Sequence, residues 1–128
     1  MSVLSRAAVT TILPVKDMAR ARDFYQNKLG LEPKGFAADG NYLFACGGAA
    51  HIALITKPDG TKAEHTALSF EVEGIEKVIA HLKAQGVVFE DYDFPGLKTE
   101  NGVATSDWGK AAWFLDSEGN ILNITQRA

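Results

Sequence analysis

Several large protein classes are excluded by what this sequence lacks. Its 128 residues include a single cysteine, Cys46, so no intramolecular disulfide can staple the fold; that usage fits a reducing compartment. Positive charge is not in excess: 13 Lys and Arg stand against 16 Asp and Glu, for a net charge of −3. A chain that tracks nucleic-acid phosphates is normally basic, so no nucleic-acid partner is expected. No apolar run approaches the roughly 18 residues needed to cross a bilayer, and no membrane partner is expected either. The opening Met1-Ser2-Val3-Leu4-Ser5-Arg6 lacks the basic-then-apolar order of a secretory leader, so a cytoplasmic location is the expectation. Also missing are a CxxC pair, a Gly-rich phosphate loop ahead of a helix, and a Ser–His–Asp order. What is present is 46% hydrophobic residues, enough for an ordinary globular core in a chain of one-domain length.

The informative positive feature is an internal repeat. Thr10-Thr11-Ile12-Leu13-Pro14-Val15-Lys16-Asp17 reads as a strand ending at a helix cap, and Ala67-Leu68-Ser69-Phe70-Glu71-Val72-Glu73-Gly74 returns the same layout. Thr11, Leu13 and Val15 match Leu68, Phe70 and Val72, and strand alternation points each trio to one face. An amphipathic helix follows each strand. Asp17 is a favourable N-cap ahead of the Met18, Ala21, Tyr25 and Leu29 stripe, and Ile75, Val78, Ile79 and Leu82 form the second stripe. Gly30 and Gly86 sit where left-handed C-terminal caps belong. Asp39-Gly40 and Gly47-Gly48 separate the apolar runs Leu31–Ala38, Asn41–Cys46 and Ala50–Thr56, a three-strand meander. The second copy reads Val87–Tyr92, a long loop from Asp93 to Lys110, Ala111–Leu115, the turn Asp116-Ser117-Glu118-Gly119, and Asn120–Gln126.

The predicted fold is therefore α+β: one domain over 1–128 built from two βαβββ modules, 8–56 and 65–126, joined by a turn-rich linker at 57–64. Each module has one helix on one sheet face. Pairing two such sheets, within the chain or between chains, encloses the other face as a cavity suited to a small molecule.

Val15-x-Asp17 with Phe24-Tyr25-x-x-x-Leu29-Gly30-Leu31, and Ala112-Trp113-Phe114-x-Asp116-x-x-Gly119-Asn120, resemble the two modules of the vicinal oxygen chelate superfamily. That group holds glyoxalase I, bleomycin-resistance proteins, extradiol dioxygenases and fosfomycin-resistance proteins. The resemblance runs from about Ala8 to Gln126 and implies the glyoxalase/bleomycin-resistance fold and a homodimer. It does not by itself fix an activity, because one scaffold hosts many functions.

Enzymes of this superfamily hold a divalent metal with His and carboxylate side chains, two from each module. Carried over, the two histidine positions fall on Thr10 and Ala67, and the last glutamate position on Asn123. The remaining one falls on Ala53, or on Leu54 if the rhyme of Ile52–Thr56 with Ile121–Thr125 sets the register. None is a His or a carboxylate, and a neutral hydroxyl or carboxamide is a weak ligand for a transition metal. No metal and no cofactor are expected. His51 and His65 stand two residues ahead of Ala53 and Ala67, about 7 Å along their strands; they are the residues a displaced metal site would use.

Alternation predicts a ligand cavity lined by Thr10, Ile12, Ala53, Ala67, Ser69 and Asn123, with Ile121 and Thr125 beside them. Among the stacking candidates Trp108, Trp113, Tyr42, Phe44 and Tyr92, Tyr42 and Trp108 are assigned to the cavity; Trp108 lies on the long loop, which either covers the cavity as a flap or is anchored to the sheet edge. Trp113, in mid-strand, is expected in the core. His65 and Glu71 lie about 20 Å apart along one strand, too far to act as an acid–base pair, and Cys46 reads as a small core residue. The function expected is binding of a small apolar or aromatic molecule without a metal, as in drug sequestration or resistance. The alternative is a metal-dependent lyase or dioxygenase that uses a displaced site at His51 and His65.

Overall fold

The computed structural model describes residues 3–128. Strand β1 (Thr10–Val15) leads into helix α1 (Met18–Asp23), which widens into a π-helical turn over Phe24–Lys28 before strands β2 (Glu32–Phe36), β3 (Tyr42–Ala45) and β4 (His51–Thr56). The second half carries β5 (Thr66–Glu71), α2 (Ile75–Ala84), β6 (Asp93–Phe94), β7 (Leu97–Glu100), β8 (Val103–Ser106), β9 (Gly109–Leu115) and β10 (Ile121–Arg127). Helix α1 starts where the sequence says it should. Asp17 is extended, and its side chain accepts the Arg20 N–H at 3.0 Å, satisfying one of the orphan donors of the first turn. In the π turn the Leu29 N–H reaches back to the Phe24 carbonyl at 3.1 Å. Two successive aromatics at this turn, Phe24 and Tyr25, are both buried. Gly30 and Gly86 adopt φ of +74° and +94°, the left-handed exits expected of glycine after a helix.

Two mixed sheets result, ordered β1-β4-β3-β2 and β5-β10-β9-β8-β7-β6. Each opens with a parallel pair, β1 with β4 and β5 with β10, and continues antiparallel. Leu13, Val15, Ile52, Leu54, Tyr42 and Phe44 from the first sheet, and Ala112, Phe114, Leu122 and Ile124 from the second, share one core with Ala21, Phe24, Tyr25, Ile75, Ile79 and Leu82. The helix sides of both modules thus meet inside one chain, as the Phe24–Phe114 ring contact at 6.5 Å shows. The opposite sheet faces are not covered by each other. Among the described residues no strand of one sheet pairs with the other, and Ile12 is 58% exposed on its outer face.

Two segments differ from the sequence expectation. Val87–Tyr92 forms only an isolated bridge, Phe89 to Phe114. The segment read as one long loop instead folds into β6, β7 and β8, two hairpins that extend the second sheet. Its turns are Pro95-Gly96, with Gly96 at φ of +87° as a type II turn requires, and the hairpin dipeptide Asn101-Gly102, whose Asn101 takes φ of +53°.

Candidate functional site

The outer face of the first sheet carries Thr10, Ile12 and Ala53. In the parallel register Thr10 stands beside His51, and Ile12 beside Ala53. Leu54, the other candidate for the fourth ligand position, is fully buried in the helix-side core, so Ala53 is the position on the outer face. On the second sheet Asn123 stands beside Ser69 on one side and opposite Trp113 on the other. Asn123 is 5% exposed. Ala67 stands without a partner at a register shift between β5 and β10 and is packed, partly buried, against the core, so it does not continue the outer-face row of Ser69.

These four positions, Thr10, Ala53, Ala67 and Asn123, offer one hydroxyl, two methyl groups and a carboxamide. Such a donor set does not fit a divalent metal, which needs imidazole or carboxylate ligands. The displaced alternative fares no better. His51 places Nδ1 3.1 Å from the Ala49 carbonyl oxygen, while His65 lies exposed at the entry to β5 on the other sheet. Among the described residues no group of three or more His, Cys, Asp or Glu side chains is placed to hold a metal ion.

The same outer face of the second sheet does build an aromatic recess. Trp113 on β9, Tyr92, Phe94 on β6 and Leu97 on β7 surround a volume of about 320 Å³ together with Glu64, His65, Thr66 and Ile121. Tyr92 stacks edge-on to Trp113, with ring centroids 5.7 Å apart. The Trp113 indole N–H donates to Thr66 Oγ1 at 3.1 Å, which fixes the ring's orientation. Hydrogen bonds hold the overhanging hairpin in place. Asp91 Oδ1 accepts from the Thr99 hydroxyl at 2.7 Å and from the Gly102 amide at 2.8 Å, and the Tyr92 amide donates to Thr99 Oγ1 at 2.8 Å. The Thr99 hydroxyl and the Gly102 amide hold the Asp91 carboxyl below the usual carboxylate range.

Trp108 lies at the far end of this face, 52% exposed. It borders a shallow recess with Ser69 and Thr125 on the tight turn from β8 to β9. A Cβ on Gly109 would meet the Gln126 carbonyl oxygen at 2.0 Å, and its φ is +127°. Only glycine lets β9 and β10 approach so closely there. The Trp108 carbonyl accepts the Ala128 N–H at 3.1 Å, so the turn is anchored to the sheet edge.

Two further expectations are corrected. Tyr42 does not line a ligand cavity: it is 6% exposed on the helix side, edge-on to Phe44, under the Arg22 guanidinium at 4.1 Å from its ring centroid. Trp113, expected in the core, faces outward into the recess. Both strands are apolar on both faces, so neither carried a polar phase to assign the side. Phe94 and Leu97 were missed because their segment was read as loop; the apolar residues flanking Pro95-Gly96 were the available signal.

A polar clasp sets how the two modules sit together. Glu118, with a fully covered side chain, accepts the Lys16 and Asp17 amides at 2.9 Å each, and Arg20 through Nε at 2.7 Å and Nη2 at 3.0 Å. Burial pushes its carboxyl up, but these donors and the Ser117 hydroxyl outweigh that and hold it down at about 2. Buried Asp116 accepts the Tyr25 hydroxyl at 2.6 Å, and Asn120 Nδ2 donates to the Pro14 carbonyl at 2.9 Å. Burial first, then the adjacent Asp116 charge, pushes the Tyr25 phenol up.

Two βαβ-type modules with a shared core and uncovered outer faces define the architecture, and comparison with known proteins agrees with it. Over residues 7–124 the chain matches, and belongs to, the Glyoxalase/Bleomycin resistance protein/Dioxygenase superfamily. No curated protein sequence matches it. Among solved structures it is similar to TnmS3, an antibiotic binding protein from Streptomyces sp. CB03234, at 21% identity over 95% of this chain and 96% of that one, with a TM-score of 0.71. It is also similar to a lactoylglutathione lyase from Agrobacterium tumefaciens, at 17% identity over 94% and 93%, TM-score 0.68. A superfamily member from Sphaerobacter thermophilus gives 23% identity over 94% and 97%, TM-score 0.73. At these identities the likeness shows the fold alone. No helix is long and apolar enough to cross a membrane among the described residues.

Proposed function

We propose that this protein binds a small apolar or aromatic molecule without a metal, on the outer face of its second sheet. The observation that carries the reading is the recess of Tyr92, Phe94 and Trp113. Its apolar walls with a few hydrogen-bonding groups at the rim are what small-molecule sites offer. The antibiotic binding protein among the similar structures is consistent with such a role, and the role is sequestration or carriage of a drug-like compound in the cytoplasm. The exposed Ile12 on the outer face of the first sheet supports a homodimer in which a second copy closes the cavity, since a single chain leaves that side chain in water.

The test is direct. The full chain, purified without chelators, is assayed for Ni, Zn, Fe and Mn and titrated with 2-naphthol by tryptophan fluorescence. Saturable binding with a ligand-dependent rise in Tm, lost in Trp113→Leu, and no stoichiometric metal, is the expected result. Stoichiometric metal dependent on His51 or His65, or no naphthol binding, overturns it.

A further inference from the structure

The rings around the recess are crossed rather than parallel. Tyr92 meets Trp113 at 80° and Phe94 at 61°, with the Tyr92–Phe94 centroids 5.9 Å apart. Parallel walls make a slot for a flat guest, whereas crossed walls make a corner whose faces converge on a compact, rounded group. Because the Trp113 N–H is engaged by Thr66, the indole has no hydrogen bond left to donate to a guest and offers it the ring itself. Ring faces carry the negative part of the aromatic quadrupole and attract cations.

Charge at the rim has the same sign. Glu64 lines the recess. Burial pushes the Tyr92 phenol up and keeps that ring uncharged. No Lys or Arg lines the recess; Lys98, on the overhanging hairpin, stands across from Asp93 in the β6–β7 register.

We infer that the recess is an aromatic cage for a cationic head, a quaternary or alkylated ammonium carried by the guest. The inference rests on the reading above that this recess is the guest site, and it adds a charge requirement that the reading does not contain. Cation–π attraction at a partly exposed site predicts a preference of roughly 3- to 30-fold for a cation over its neutral twin.

The experiment uses the full chain and two probes of nearly identical shape, choline and 3,3-dimethylbutan-1-ol, which differ by a charged nitrogen in place of a carbon. Dissociation constants are read by tryptophan fluorescence and calorimetry, with 2-naphthol as the uncharged aromatic control. Choline binding tighter than the alcohol by the stated factor supports the cage. Glu64→Gln, an exposed position where folding is not at stake, is expected to narrow that ratio about twofold to threefold. If naphthol binds but the alcohol binds as tightly as choline, the cage is overturned while the apolar-guest reading stands. An unchanged ratio in Glu64→Gln overturns the carboxylate's part in it. If neither choline nor naphthol binds, both readings fall.

Discussion

Replacing Glu118 by Gln tests whether the clasp between the two modules is an electrostatic device or merely a packed turn. The wild-type carboxylate receives two backbone amides at the start of α1 and two nitrogens of Arg20, all between 2.7 and 3.0 Å. Its pKa falls from 4.5 to about 2, which at 1.36 kcal/mol per pH unit is worth at most about 3 kcal/mol. Arg20 is 53% exposed, so solvent screening reduces the figure to about 1–2 kcal/mol. Gln keeps the shape and one acceptor oxygen but loses the charge. Because the folded-state pKa lies below the ordinary one, the contribution is complete above about pH 4.5 and fades as pH falls towards 2. Urea unfolding followed by far-UV circular dichroism is the assay. At pH 7 Glu118→Gln should lower the midpoint by roughly 0.5–1 M, given an m-value of about 1–3 kcal/mol/M. The gap should shrink between pH 4.5 and pH 3. A gap of the same size at every pH, or none at pH 7, would refute the reasoning.

Two further outcomes follow from burial and backbone geometry. Tyr42→Leu removes the ring beneath Arg22 and should cost about 2 kcal/mol in stability while leaving 2-naphthol affinity unchanged; a loss of affinity with unchanged Tm would put Tyr42 in the site after all. Gly109→Ala forces a Cβ into the Gln126 carbonyl oxygen and should destabilise by more than about 2 kcal/mol. A thermal melt indistinguishable from wild type would show that β9 and β10 do not need that close approach.

Much of the framework was legible because it rests on local chemistry. The Asp17 cap, the glycines that end both helices, and the Asp-Gly and Gly-Gly hairpins each act within a few residues. Alternation in β1 was equally readable, since Leu13 and Val15 bury while Thr10 and Ile12 do not; in β5 a register shift breaks it at Ala67. The aromatic recess was only half legible. Tyr92 and Trp113 stood out as aromatics, but Ala111-Ala112-Trp113-Phe114-Leu115 is apolar without a break, so no period-2 signal says which side Trp113 takes. Phe94 and Leu97 reach Trp113 only because Asp91, Thr99 and Gly102 bond across a hairpin that was read as loop.

Residue type and spacing were enough to read the chain as a duplicated strand–helix–sheet unit, and the family resemblance carries the metal positions of related enzymes onto Thr10, Ala67, Asn123 and either Ala53 or Leu54, none of them a His or a carboxylate. Folding does not alter which donor atoms are present. Only the tertiary structure decided that the two modules meet through their helix sides, that Tyr42 belongs to the core and Trp113 to the open face, and that Glu118 grips the start of α1 from the other module. The physical reason is range: an apolar strand buries whichever face the other module covers, and the contacts that make this choice join residues about a hundred positions apart.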